Sequence, residues 1–223
     1  TTEIYTLSLH DALPIFLSAC NESNQPIVVH GGLTGLVYGT RSTQELLVIS
    51  LERMNQIEDV DLVGRTITCQ SGVTLQTIQE LAEKNNMIFP LDLGARGSCS
   101  VGGNIATNAG GNRVIRYGMM RDSVLGLETV LADGTVLTSM NTMIKNNAGY
   151  DLKQLFIGTE GTLGIITRCV LRIREAPLSQ NTGLVAIENL DSVIRFLKIV
   201  DSRLGGNMSA FEVMWHEFYK MVV

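Results

Sequence analysis

The sequence predicts an α+β fold on three observations: strand-like runs end in glycine turns, one segment switches to helical spacing, and two apolar runs flank a hairpin turn. Residues 27–29 are a short β-branched run that stops at Gly31-Gly32, a strand feeding a glycine turn. Residues 46–51 are a second apolar run, and residues 65–70 alternate apolar and polar as a half-buried strand does. From Thr74 the period changes. Leu75, Ile78, Leu81 and Ala82 recur at helical spacing, Thr74 is placed to cap the helix, and Asn85-Asn86 to end it. Residues 124–132 and 136–138 flank Asp133-Gly134, which supplies the positive φ angles of a two-residue hairpin turn. Asp151 is expected to cap a short helix running through Phe156, and residues 165–173 are the longest strand candidate. Adjacent antiparallel strands mixed with helices favour α+β over a doubly wound parallel sheet.

After Pro177 the pattern predicts a βαβ unit. Residues 182–187 read as a strand, Asp191 as the cap of a helix whose Val193, Ile194, Phe196, Leu197 and Val200 share a face, and residues 208–214 as a second strand after Gly205-Gly206. Such a unit exposes too much apolar surface to stand alone, so it is expected to open a second domain, with the boundary near Ala176. The first 15 residues, TTEIYTLSLHDALPI, lack the regions of a signal peptide and resemble the translation of a sequencing adapter. Native sequence is therefore expected from about Phe16, and both ends read as cut. The resulting plan is residues 1–15 as a non-native leader, 16–176 as the main domain and 177–223 as the start of a second.

Composition narrows the function. With 17 Lys and Arg against 22 Asp and Glu, the net charge of −5 argues against a nucleic-acid partner. No apolar run reaches the roughly 18–20 residues needed to span a bilayer. Cys20, Cys69, Cys99 and Cys169 are widely spaced and form no CxxC pair, which favours buried thiols in a reducing compartment and a cytoplasmic location. With only His10, His30 and His216, no metal-ligand cluster emerges from the spacing.

The informative residue is glycine. His30-Gly31-Gly32-Leu33-Thr34-Gly35 follows a strand and suits backbone capture of an anion, although it matches neither the Rossmann nor the P-loop spacing. Residues 89–111, FPLDLGARGSCSVGGNIATNAGG, add six glycines with Ser98, Ser100, Asn104, Thr107 and Asn108 among them. Ordering so much glycine is entropically expensive, and a large ligand lying along the backbone would compensate. A third turn, residues 158–164, leads into the strand at Ile165. Three such turns imply one extended ligand contacted from several sides.

The stretches GGLTGLVYG, PLDLGARGSCSVGGNIATNAGG, RYGMMRDSVLGLETVLADGTVL and GYDLKQLFIGTEGTLGIIT resemble the flavin domain of FAD-linked oxidases of the vanillyl-alcohol oxidase (PCMH) type. The resemblance runs from about Phe16 to Phe211 and is greatest to the D-2-hydroxyglutarate dehydrogenase and D-lactate dehydrogenase group, which includes the glycolate oxidase flavin subunit. It implies a PCMH-type FAD-binding domain of two α/β subdomains followed by the start of an α+β substrate (cap) domain. It places the FAD pyrophosphate at Gly31, Gly32, Thr34 and Gly35. It places the flavin and its linker at Pro90, Leu91, Gly94, Ser98, Gly102, Gly103, Asn104, Thr107, Asn108, Gly110 and Gly111, and the adenosine side at Gly161, Gly164, Ile165 and Ile166. The chain departs from the family at Leu33, where Asn or Gly is usual, and at Tyr38, where Gly is usual. Relatives with covalent FAD often carry His just after the glycine pair; Leu33 cannot make that bond, so non-covalent FAD is expected.

The resemblance further implies oxidation of a small D-2-hydroxy acid to its 2-oxo acid by hydride transfer to flavin, with an electron-transfer flavoprotein, cytochrome or quinone as acceptor. It places no catalytic residue in this chain, admits a divalent metal only through a later region, and is compatible with a homo-oligomer. Arg96, Arg113, Arg116 and Arg121 lie near the flavin motif, where solvated or ion-paired roles compete with substrate contact. Two alternatives stay open: a flavin-holding subunit without catalytic residues, and a transferase of the alkyl-glycerone-phosphate synthase type.

Overall fold

The computed structural model describes residues 4–6 and 12–223. The first subdomain contains β1 (Ile4–Thr6), α1 (Ala12–Glu22), β2 (Ile27–His30) and β3 (Leu47–Ser50). Its strands form a parallel sheet in the order β1-β3-β2. Leu13 and Leu17 of α1 are buried and join Ile49, Leu51 and Met54 in one core. The helix thus begins before Phe16, and Leu13 packs inside, where the sequence reading excluded it. The other leader residues, 1–3 and 7–11, lie outside the described residues.

The second subdomain is built on an antiparallel sheet. It takes in β4 (Ile57–Asp61), β5 (Thr66–Gln70), α2 (Leu75–Lys84), β6 (Met87–Ile88), α3 (Val101–Ala106), α4 (Val114–Tyr117), a 3-10 turn (Met120–Ser123), β7 (Val124–Val130), β8 (Val136–Ser139), α5 (Lys153–Phe156), β9 (Ile165–Arg172) and β10 (Arg174–Glu175). Strand order is β4-β5-β9-β7-β8, while β10 pairs separately with β6. β9 lies at the centre and is buried on both faces, so it reads as a nearly continuous apolar run. Its Ile166 and Leu171 join the main core with Ile67, Ile78 and Val101. Its Ile165, paired with Val130 of β7, belongs to the core beneath the parallel sheet. One strand therefore joins the two subdomains, and the α+β expectation holds.

Local chemistry explains the elements read correctly and those missed. Thr74 caps α2 by accepting the Thr77 amide at 3.2 Å. The 124–139 hairpin forms, but only Gly134, at φ 84°, takes a positive angle. Asp133 instead accepts the Thr135 amide at 2.9 Å in a longer turn than the expected two-residue one. Asp151 does not cap α5: Leu152 holds the cap position, and the Asp151 carboxylate pairs with Lys153 at 2.6 Å. α3 was not anticipated because Gly102 and Gly103 are each about 1 kcal/mol worse than Ala in a helix. It forms because Ser100 accepts the Gly103 amide at 3.2 Å and because Val101 and Ile105 are buried.

Beyond Pro177, α6 (Leu190–Leu204) forms with Asn189, not Asp191, as its cap; Gly205 ends it in the left-handed conformation. α7 (His216–Val222) was not anticipated. The expected strands over 182–187 and 208–214 do not form. Among the described residues neither has a neighbouring strand to complete its hydrogen-bond ladder, and extended backbone without a ladder is not a strand.

Candidate functional site

The three glycine-bearing stretches meet. The first follows β2. A β-carbon built on Gly31 would stand 2.5 Å from Ser100 Oγ, and one on Gly32 would stand 2.0 Å from the Ser98 carbonyl oxygen. Only hydrogen at those positions lets the first turn lie against the second. The third is tied to the second through α3: Gly158 donates to the Ile105 carbonyl at 3.1 Å and Glu160 to the Ala106 carbonyl at 2.8 Å, covering carbonyls at the end of that helix. It also returns to the first, since a β-carbon on Gly161 (φ 81°) would meet Val29 of β2 at 3.8 Å, and one on Gly39 would meet the Glu160 carboxylate at 2.4 Å.

The amides of the first turn are unusual. Among the described residues, the N–H groups of Gly31, Gly32, Leu33, Thr34 and Gly35 donate to no protein acceptor. Leu33, at φ 54°, is left-handed inside this run, the conformational ingredient of amide concavities that bind anions. A cleft of ≈ 550 Å³ opens beside it, lined by Gly31, Gly32, Ser98 and Ser100 on one side and by Glu52, Asn55, Thr74 and Thr77 on the other. None of its lining residues is Lys or Arg, so an anion there is met by amides and neutral side chains rather than by a cation.

The other residues named from sequence separate into two groups. Gly35 and Gly94 face open space, with nothing within 4 Å of a built β-carbon, and Gly103 meets only Ser100 Oγ at 3.0 Å. Thr107 is exposed, its hydroxyl donating to the Gly103 carbonyl at 2.9 Å. These, with Thr34 and Ser98, present an accessible surface. By contrast, Pro90, Leu91, Gly102, Asn104, Gly164, Ile165 and Ile166 are buried. Gly102 packs on Ser71, donating to its carbonyl at 2.7 Å, and Gly164 packs on Thr129 of β7. Gly111 lies on the Asp92 backbone, with a built β-carbon 2.0 Å from its carbonyl oxygen, and Gly110 lies against the Met119 side chain. Asn108, at φ 47°, accepts the Arg121 amide at 3.0 Å.

The arginines near the motif are mostly occupied. Arg121 donates to the Gln154 carbonyl at 3.0 Å and to the Ile157 carbonyl at 2.6 Å. Arg113 pairs with Asp92 at 3.4 Å, and Arg116 lies 5.1 Å from the Tyr117 ring centre. His30 contacts the Thr40 carbonyl at 2.9 Å and braces the loop. Sequence reasoning missed Glu52, Asn55, Thr74 and Thr77 as cleft residues, because they lie outside the glycine-rich stretches it followed. Among the described residues, no group of three or more His, Cys, Asp or Glu is arranged to hold a metal.

Two subdomains meeting over glycine turns, one with a run of unpaired amides beside a cleft, define an α+β protein built to bind a nucleotide cofactor. The chain belongs to the FAD binding domain family, whose model matches residues 6–139. FAD is therefore its cofactor, and the open glycine faces and free amides fit an extended diphosphate-bearing molecule. The chain is 44% identical over 206 residues to a mitochondrial D-2-hydroxyglutarate dehydrogenase of Bos taurus, covering 92% of this chain and 38% of that protein. It is 42% identical over 198 residues to a putative mitochondrial D-lactate dehydrogenase of Schizosaccharomyces pombe, covering 89% and 38%. The chain thus spans well under half of the relatives it matches. A solved alkyldihydroxyacetonephosphate synthase shares the fold at a TM-score of 0.69 and 24% identity, covering 79% of this chain and 32% of that one.

These comparisons correct one expectation. The cytoplasmic location inferred from free cysteines is contradicted by the bovine and fission-yeast relatives, both mitochondrial. Reduced buried thiols do not discriminate between the two compartments. Among the described residues, no helix is long and apolar enough to cross a membrane.

Proposed function

We propose that this chain is the FAD-holding part of a dehydrogenase that oxidises a D-2-hydroxy acid, such as D-2-hydroxyglutarate, D-lactate or glycolate, to its 2-oxo acid. The observation that carries the cofactor half is the convergence of residues 31–35, 98–103 and 158–161, with the first turn's amides unpaired. The substrate half rests on 44% identity to a D-2-hydroxyglutarate dehydrogenase.

In this reading the amides of Gly31, Gly32, Thr34 and Gly35 hold the diphosphate without a cation. Ser98, Gly103 and Thr107 present the surface on which the ring system and linker lie, and Gly94 leaves room at its edge. Gly110, Gly111, Asn108 and Asn104 shape the turn behind α3. Gly102, Pro90 and Leu91 support the trough from the core, and Gly161, Gly164, Ile165 and Ile166 line its adenosine side through their backbones. When bound, FAD supplies the hydride acceptor, and the protein supplies position and exclusion of water. Leu33 offers no nucleophile, so the cofactor is held non-covalently. Residues 16–176 form the FAD-binding unit and 177–223 begin the substrate-binding unit. The electron acceptor is an electron-transfer flavoprotein, a cytochrome or a quinone.

The test has two arms. Retention of FAD after desalting examines the cofactor. Anaerobic addition of D- and L-2-hydroxy acids to the flavin-loaded protein, extended to the length of its relatives, examines the substrate. Bleaching of the flavin band by the D but not the L acid is expected; bleaching by neither, with flavin bound, would reject the substrate class.

A further inference from the structure

Three arginines gather near the end of β9 without a carboxylate to pair with. Ile173 is fully buried between Arg172 and Arg174, so in extended chain both arginines turn away from the core to one side. α4 brings Arg116 and Tyr117 to the same place. The Tyr117 ring centre lies 5.1 Å from the guanidinium carbon of Arg116 and 5.6 Å from that of Arg174, both within cation–π range. Nearby arginines are neutralised, Arg65 by Glu175 at 3.1 Å and Arg113 by Asp92 at 3.4 Å. Among the described residues, Arg116, Arg172 and Arg174 form no ion pair. Asp122 acts on Arg174 from nearby, but its carboxylate already accepts the Met119 amide at 2.8 Å.

The cluster is costly as it stands. Arg174 Nε is buried with no hydrogen-bond acceptor, and a desolvated cation without a partner is destabilising. Burial, followed by the charge of Arg172, holds the Arg174 guanidinium below its ordinary value, and Arg116 acts in the same direction. Like charges are thus held together in a chain whose net charge is −5. An anion would relieve all three, and the guanidinium fork matches the paired oxygens of a carboxylate or phosphate.

We propose that Arg116, Arg172 and Arg174, arranged around Tyr117, form a binding site for a small oxyanion, the carboxylate or phosphate group of a polyanionic metabolite. None of the four lines the cleft beside the first glycine turn, so this site is separate from it and does not depend on the FAD reading.

The test titrates the full chain, supplied with FAD, with inorganic phosphate and with glutarate at an ionic strength held constant by chloride, read by calorimetry. The proteins are the wild type, Arg116→Gln, Arg174→Gln, Arg174→Lys and Arg65→Gln, the last removing an arginine that is already paired. Saturable binding of at least one of the two anions is expected, and the tighter of them assigns the group. Arg116→Gln and Arg174→Gln are each expected to weaken it at least about tenfold, as loss of a charged hydrogen bond does. Arg174→Lys, which keeps the charge without the fork, should weaken it less, and Arg65→Gln should leave it unchanged. Because Arg116 is exposed, its variant keeps the test decisive should Arg174→Gln fail to fold. No saturable binding of either anion by the folded wild type, or equal weakening by Arg65→Gln and Arg116→Gln, would overturn the inference. Neither result bears on the cofactor assignment, which flavin content decides.

Discussion

Gly32 and Ser98 are in backbone contact: a β-carbon at position 32 would lie 2.0 Å from the Ser98 carbonyl oxygen and 2.7 Å from Cys99 Cα. Because backbone cannot give way as a flexible side-chain end can, Gly32→Ala is expected to push the first turn off the second. The predicted result is loss of FAD retention together with a stability loss of about 1–3 kcal/mol in the apo protein, read from urea midpoints. An alanine variant with wild-type flavin content and midpoint would show that the two turns are not joined here.

Gly102 and Gly103 are adjacent in α3 yet should respond oppositely. A side chain at Gly102 would strike Ser71 Cβ at 2.5 Å, whereas one at Gly103 meets only Ser100 Oγ at 3.0 Å and otherwise open space. Gly102→Ala is expected to lower apo stability. Gly103→Val is expected to leave the fold largely intact and to abolish flavin retention. A Gly103→Val protein with equimolar flavin would contradict the placement of the cofactor along α3.

Leu33 is held at φ 54° and is 58% exposed, so its side chain contributes little packing while its backbone is strained. The left-handed region costs an ordinary residue roughly 1–2 kcal/mol and Asn much less. Leu33→Asn should therefore raise the thermal midpoint, by an amount equivalent to about 0.5–1 kcal/mol. A lowered midpoint would show that Leu33 makes a stabilising contact.

Cys69 and Cys169 are paired across β5 and β9, with sulfurs 3.6 Å apart and both side chains fully buried. The hydrogen bond with Cys69, followed by burial, pushes the Cys169 thiol well above its ordinary 9.0. A raised folded value means that the stabilising contribution is complete below the unfolded thiol's pKa and is lost as pH rises from there towards the folded one. Stability should thus fall as pH rises above about 9, and Cys169→Val should flatten that slope. Urea midpoints at pH 8 and pH 10 for both proteins test this; identical slopes would contradict it.

The parts of this molecule legible in the sequence are those fixed by local chemistry. Thr74 announced α2, and the apolar run at Ile165 announced a central strand because β9 is buried on both faces. The departures at Leu33 and Tyr38 from the family's Asn or Gly fall on left-handed residues, φ 54° and 60°, which is why glycine is usual there. What depended on distant partners was not legible. α3 exists through burial of Val101 and Ile105 against glycine's low helix propensity, and the 182–187 and 208–214 segments needed neighbouring strands that the described residues do not provide. Glu52 and Thr77 reach the cleft only because β3 ends and α2 begins beside the same glycine turn.

The most direct test of the central claim is the flavin content of the purified protein after FAD saturation and desalting, followed by acid precipitation. Equimolar FAD that passes into the supernatant is predicted, since glycine backbone holds it and Leu33 cannot bond to it. A folded protein that keeps no flavin, or one whose flavin stays with the precipitate, would contradict the account.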